Sequence, residues 1–392
     1  MNHSELSIMD LLIVGIYLVA MVAIGVYSVR KIKNTGDYFV AGHSFGPLVL
    51  MATVCATIIG GSGLMGRAGV AYSSGFKAVL TAVPYLLGMF LFSGISGRIS
   101  KVGMKYGITS ISELFEQRYG KTAKVILAGF IAFTMMGTVA SQVTATATII
   151  NMLGGDIGIS YEAGAMIATV VFMVYTATSG LFGVVYTDVL QFYMLLLFVY
   201  ILIPAASLFH VGGIGNFVAN VNPALAIKVL PVGLTGLALA GMLSVIMSTA
   251  DSYLLVSVQS VVRDIMYTFN PQMTDKAEIK WSRIFSIVLP VGALIIALYI
   301  KNAYNILMFA WSFYAAACGL PAFASLYWKK ATRQGVLAAM ISGFVVCVGW
   351  KMMGQPFGLG AAVPGTIACA IALVVVSLMT CQKTPSKFLD VE

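Results

Sequence analysis

Charge is scarce in this chain. Asp, Glu, Lys and Arg make up 9% of its 392 residues, against 59% hydrophobic ones, whereas soluble domains carry about 25% charged residues. That shortage excludes a water-soluble protein and points to a chain threaded repeatedly through a bilayer. Metal-binding side chains are equally sparse. The only histidines are His3, His43 and His210, each near the end of an apolar run or in a loop. The five cysteines (Cys55, Cys318, Cys347, Cys369 and Cys381) form no C-x-x-C pair and no Cys/His cluster, which excludes both a disulfide framework and a zinc site. No P-loop lysine motif, G-x-S-x-G or H-E-x-x-H occurs. ATP-driven pumping and intramembrane hydrolysis therefore have no basis in the sequence, and we do not read the chain as an enzyme. Gly61, Gly63 and Gly66 do satisfy G-x-G-x-x-G, but residues 79–88 hold no acid and the flanks are apolar, so no dinucleotide site follows.

What is abundant is apolar length. Runs of about 20 apolar residues define membrane-spanning helices. They predict an all-α polytopic protein with eleven spans, at 8–29, 47–73, 77–98, 125–153, 161–178, 186–209, 231–260, 283–300, 304–328, 334–353 and 361–381. The first ten residues carry Glu5 and Asp10 but no Lys or Arg, unlike a cleaved signal peptide, so Ile8–Val29 reads as a retained span. With the N-terminus outside, inside loops and flanks hold eighteen of the 23 basic residues. The outside holds four (Lys77, Lys228, Lys301 and Lys351), and Arg67 lies within the second span. This bias orients the chain with its N-terminus out and C-terminus in. It also accounts for the net charge of +9 without a nucleic-acid partner. On the inside, Ser110 followed by Glu113 forms a capping-box pattern that predicts a short surface helix without chemistry.

Two segments carry polar chemistry at membrane depth. Ala56–Gly66 reads A-T-I-I-G-G-S-G-L-M-G inside an apolar run. Each glycine costs a helix about 1 kcal/mol relative to Ala, and unwound backbone within a bilayer is tolerated only where protein buries it or it lines a cavity. Freed carbonyls there can hold a cation, and freed N–H groups an anionic substrate group. In Gly241–Leu255, Val245, Ser248, Thr249 and Ser252 recur at i, i+3, i+4 and i+7, one face of a helix, with Ser244 and Asp251 beside it. Hydroxyls on membrane helices commonly bond their own backbone or glue helices together. Paired with a broken helix, they instead offer neutral oxygen ligands suited to a hard monovalent cation that must bind and leave. Asp188 and Asp251 are the acids placed within apolar spans away from the outer edge, and intramembrane carboxylates are costly groups. Asp188, near the start of its expected span, also fits an interfacial helix cap.

These segments resemble the sodium:solute symporter family. The resemblance rests on D-Y-F-V-A-G-H-S-F-G-P (37–47), the A-T-I-I-G-G-S-G-L-M-G break, Y-T-D-V-L-Q (186–191), L-P-V-G-L-T-G-L (230–237) running into M-S-T-A-D-S (247–252), R-Y-G (118–120) and A-W-S-F-Y-A-A-A-C-G-L-P (310–321). It covers essentially the whole chain. It implies a LeuT-type helix bundle of two inverted repeats in a single transmembrane domain over 1–392. A leading helix (8–29) would precede a first five-helix repeat (47–209), the remainder of a second repeat (231–328) and two C-terminal helices (334–381). It also implies sodium ligands from the backbone oxygens of Ala56, Ile59 and Val245 and the hydroxyls of Ser248 and Thr249. Asp188, Ser248, Asp251 and Ser252 match a second sodium site or inward exit path found in some members. The solute would sit near Ser62 and Gly63, with Gln142 and Trp311 as further contacts. No cofactor is implied; Na+ is the coupling ion.

The chain departs from the family at Val211–Leu230, where no run of about 20 apolar residues separates the sixth span from L-P-V-G-L. Two spans, including a second broken helix, are expected to be absent, with the junction near Pro223–Ala226. The reading is a sodium-coupled secondary symporter in the plasma (inner) membrane, importing a small organic solute by alternating access. The shortened second repeat motivates an alternative: a non-transporting or degenerate family member acting as a structural or regulatory membrane protein. A channel is disfavoured by the lack of a repeated pore loop. The orientation is testable. In a chain otherwise free of cysteine, Lys301→Cys should react with a membrane-impermeant maleimide added to intact cells, and Lys276→Cys only after permeabilisation. The opposite pattern would invert the topology.

Overall fold

The computed structural model describes residues 7–61, 83–154, 159–211, 230 and 233–380, and every regular element among them is helical. The principal ones, in order, are α1 (Ile8–Ser28), α2 (Thr35–Val40), α3 (Pro47–Ile58), α4 (Val83–Tyr106), α5 (Ile111–Tyr119), α6 (Lys121–Gly154), α7 (Tyr161–Met194), α8 (Leu234–Gln259), α9 (Asp275–Tyr299), α10 (Ala303–Tyr314), α11 (Leu320–Tyr327), α12 (Arg333–Met352) and α13 (Ala362–Met379). Wider, π-helical turns at Leu195–Leu202, Ser260–Met266 and Ala315–Gly319 continue α7, α8 and α10. Polar residues start several helices by accepting an orphan backbone N–H: Asn34 from Asp37 at 2.8 Å, Ser110 from Glu113 at 3.1 Å and Thr332 from Gly335 at 3.1 Å. At α5 the Glu113 carboxylate reaches back to the N–H of Thr109 at 2.7 Å, one residue before the predicted capping-box partner.

Nine helices among the described residues are long and apolar enough to cross a membrane, so the chain is a multi-pass membrane protein. Nine of the eleven expected spans have such a counterpart. Of the other two, the span expected at 47–73 is described only as the 12-residue α3 and Gly60–Gly61, and that expected at 77–98 only from Val83 onward, as α4. Several helices outrun their apolar sequence, because backbone hydrogen bonding continues wherever polar side chains find partners. The seventh span, expected to end at 260, runs to Phe269. Its polar end is held by Ser110, which donates to Asp264 at 2.7 Å, and by an Arg263–Glu113 pair at 3.5 Å.

The chain divides into two compact units. The first holds residues 1–81, 136–255 and 275–307. Its core joins Tyr17 and Met21 of α1 to Val143, Ala147, Ala165, Ala168 and Phe172, and to Ala240, Leu243, Ile246, Met247 and Ala250 of α8. Alanine dominates this core while Ile16, Val19, Val170, Ile287 and Ile295 lie exposed, the arrangement expected where lipid solvates large side chains and small ones let backbones approach. Within α7, Gly180 breaks the helical path at φ +52° and ψ −160°, and α2 packs into the notch. A Cβ on Gly180 would stand 2.9 Å from the carbonyl oxygen of Tyr38.

The second unit holds residues 82–135, 256–274 and 308–392. There α12 and α13 pack through Gly343 and Gly365 against Ala316. Phe130, Phe313 and Phe344 form a ring cluster with centroids 5.0–5.4 Å apart. The Arg118 guanidinium caps the end of α11, donating to the carbonyls of Ala324 at 3.3 Å, of Ser325 and of Trp328 at 2.7 Å. Burial lowers the pKa of Arg118 and pushes that of its neighbour Tyr119 up to about 12.

Gly180→Ala combines a positive φ with a backbone collision. It should destabilise the protein by more than about 1 kcal/mol, seen as a lower melting temperature in detergent; an unchanged melting temperature would remove the notch from the account.

Candidate functional site

Helix α3 stops where its glycines begin. Ile59 leaves the helical region at φ −89° and ψ 70°, and its N–H reaches only Cys55, at 3.4 Å. Residues 62–82, which include the predicted solute contacts Ser62 and Gly63, lie outside the described residues, as does the junction near Pro223–Ala226. The break is pressed onto α8. A Cβ on Gly61 would collide with the Ile246 side chain. One on Gly60 would stand 3.0 Å from Thr249 Cγ2 and 3.2 Å from Gln142 Nε2. Only residues without side chains allow this approach.

The close approach brings backbone oxygens of α3 onto the hydroxyl face of α8. Ser248 Oγ lies 3.0 Å from the Ala56 carbonyl and 3.1 Å from that of Val245. Thr249 Oγ1 lies 3.0 Å from the Thr57 carbonyl and 3.1 Å from that of Val245. Each hydroxyl has one proton for two carbonyls, so every oxygen here retains lone pairs. Ala56, Val245, Ser248 and Thr249 are all buried. Ile59 joins them through its side chain, which packs in the cluster of Leu195, Val199 and Val245. Among the described residues no three His, Cys, Asp or Glu side chains converge; the oxygens that do converge are neutral.

A second polar layer lies one turn away. Asp188 accepts a hydrogen bond from Thr53, and Thr57 Oγ1 lies 2.9 Å from Ser252 Oγ. Asp251, fully buried, accepts from the backbone N–H of Ser252 at 2.6 Å. Asp188 is also fully buried, and it lies two turns into a membrane-crossing helix that begins at Gly180, not at the 186 expected from hydropathy. It is therefore a side chain of the helix interior and not a cap. Thr53 and Thr57 were not singled out by the sequence. Their signal is a spacing of four on the same face as Ala56, hidden because α3 is otherwise apolar. Gln142 is buried beside Gly60 and donates to Ser141 Oγ at 3.3 Å. Trp311 belongs to the second unit, where its ring meets Tyr314 edge-on at 6.0 Å.

Comparison with known proteins gives a consistent picture. The model of the sodium:solute symporter family matches residues 38–222 and 218–343, two stretches that meet at 218–222. The sodium/proline symporter of Escherichia coli (strain K12) is 25% identical over 478 aligned positions, covering 95% of this chain and 93% of that protein. That alignment is longer than the chain itself, so part of it faces gaps. The sodium/pantothenate symporter of the same organism is 24% identical, covering 92% and 94% of the two chains. A solved Na+-coupled sialic acid symporter in a substrate-bound outward-open state is similar in fold, with a TM-score of 0.76 at 17% identity, over 95% of this chain and 98% of that one.

The contact of the break with α8 is testable by volume. Gly61→Ala should lower stability by about 1–3 kcal/mol, the usual cost of overpacking. Adding Ile246→Ala should recover part of it, whereas additive losses in a double-mutant cycle would place the two residues apart.

Proposed function

Since the chain belongs to the sodium:solute symporter family, a family of transporters and not of enzymes, we propose that it is a sodium-coupled symporter importing a small organic solute by alternating access. The observation that carries this reading is the set of neutral oxygens shared by α3 and α8. On this reading the carbonyls of Ala56, Ile59 and Val245 and the hydroxyls of Ser248 and Thr249 hold Na+. The ion takes the carbonyl lone pairs, and its charge replaces the hydroxyl protons as the link between the two helices. Neutral ligands suit a site that must also release. Asp188, Asp251 and Ser252, one turn away, form a second sodium site or the inward exit path. With the N-terminus outside, sodium entering down about 100 mV contributes about 2.3 kcal/mol per ion.

The solute sits beside the break, against Ser62 and Gly63, with Gln142 as a further contact. Gly60 lies against both Thr249 and Gln142, which supports a direct coupling: an ion that fixes Thr249 also fixes the backbone the solute touches. Proline, pantothenate and sialic acid, named for the relatives above, are all carboxylic acids. We take the solute to be a small carboxylate held by backbone N–H groups freed at the break. The parent architecture is the LeuT-type pair of repeats (47–209 and 231–328) with a leading helix and two C-terminal helices (334–381). The second repeat is shortened near residue 223, a reading supported by the two-piece family match that meets at 218–222.

That shortening favours one alternative: a protein that binds sodium but moves no solute. Proteoliposomes separate the two. An inward sodium gradient, compared with potassium, should stimulate uptake of labelled proline, pantothenate or sialic acid. Ser248→Ala with Thr249→Ala should abolish the stimulation. Sodium binding without gradient-driven flux of any tested carboxylate would favour the alternative, and unchanged stimulation in the double variant would refute the site.

A further inference from the structure

The first turn of α1 carries a carboxylate that the proposed transport chemistry does not use. Asp10 is 2% exposed. Its Oδ2 accepts from the Ser7 N–H of its own helix at 3.3 Å. Its Oδ1 accepts from two N–H groups at the start of α8, those of Gly233 at 2.8 Å and Gly236 at 2.7 Å. The N-terminal ends of two helices thus share one carboxylate, each offering orphan N–H donors and the positive end of its dipole. Both glycines are required by the contact. Gly233 has φ +86°, and a Cβ on Gly236 would stand 2.7 Å from Asp10 Cα and 2.9 Å from its carbonyl oxygen.

The same two helices stay in register further down. Tyr17 and Met21 of α1 share a core with Leu243, Ile246 and Met247 of α8, and Tyr17 OH lies 3.7 Å from Met247 Sδ. Met247 adjoins Ser248. Gly233 and Gly236 both follow the stretch, 218–222, where the two family matches meet.

We propose that Asp10 is a positioning residue: it fixes the height and rotation of α8 so that Val245, Ser248 and Thr249 face the break in α3. The leading helix is then a splint for the ion-site helix and not merely an added span. The proposal rests on the sodium reading above, and two readouts keep them separable. The first is the sodium concentration giving half-maximal thermal stabilisation of the purified full-length protein, with choline holding ionic strength constant. The second is hydrogen–deuterium exchange along α8, which involves no ion.

Asp10→Ala should raise half-saturating sodium about tenfold, the equivalent of one lost cap. It should also speed exchange through residues 245–252 as well as at 233–237. Asp10→Asn, whose amide oxygen still accepts, should stay near wild type. Gly236→Ala, which leaves Asp10 in place but forces the helices apart, should reproduce the Asp10→Ala shift if Asp10→Ala itself does not fold. A lower melting temperature with unchanged sodium dependence, and faster exchange confined to 233–237, would reduce Asp10 to a local cap and overturn the proposal. A wild-type protein indifferent to sodium would refute the sodium reading, and the exchange pattern would still decide the role of Asp10.

Discussion

A helix interrupted inside a bilayer must find partners for the carbonyls it frees, because hydrocarbon offers none. Here the partners are the hydroxyls of Ser248 and Thr249, 3.0 Å from the Ala56 and Thr57 carbonyls. Much else in the first unit follows from bringing α3 and α8 so close. Gly60 and Gly61 must lack side chains, because Thr249, Gln142 and Ile246 occupy the space. The core beneath is built of alanines, so that helices α6, α7 and α8 can approach. Any displacement of α8 moves hydroxyls away from carbonyls that have no other solvent. The site is therefore both the weak point of α3 and the reason α3 can break there at all.

The polar contacts of α3 run to two different helices. Thr53 meets Asp188 of α7, and Thr57 meets Ser252 of α8. Broken backbone, hydroxyl face and buried carboxylate are thus three parts of one connected polar core. A cation bound among the neutral oxygens would act on the carboxylate layer through helices α3 and α8 together. This layering separates strength from release: the ligands proposed for binding carry no formal charge, while the carboxyl groups sit one turn away. Asp10 extends the same logic to the N-terminal end of α8, where one carboxylate accepts from N–H groups of two helices.

Much of this was legible in the sequence, and the parts that were not have physical reasons. The glycine run marked the break, and α3 ends at Ile58, within the expected segment. The hydroxyl face followed from the spacing of Val245, Ser248, Thr249 and Ser252 along a 3.6-residue turn. Hydropathy misjudged where helices start and stop, since it registers apolar residues and not hydrogen bonds. It began the sixth span at 186 and so left Asp188 looking terminal, whereas the helix begins at Gly180. Thr53 and Thr57 went unnoticed because a threonine in an apolar helix ordinarily bonds its own backbone. The link from Asp10 to α8 carries no local signal because Gly233 and Gly236 lie more than 220 residues away. The two compact units are likewise invisible to local patterning, since α6, α8 and α10 each pass from one unit to the other.

The central claim is that Na+ lies between the end of α3 and the middle of α8. The most direct measurement is a high-resolution structure of the protein in sodium, compared with one in choline. The account predicts a density feature present only in sodium, ringed by the carbonyls of Ala56, Ile59 and Val245 and the hydroxyls of Ser248 and Thr249. Identical density at that position in both salts, with Ser248 and Thr249 still bonded to the α3 carbonyls in sodium, would contradict it.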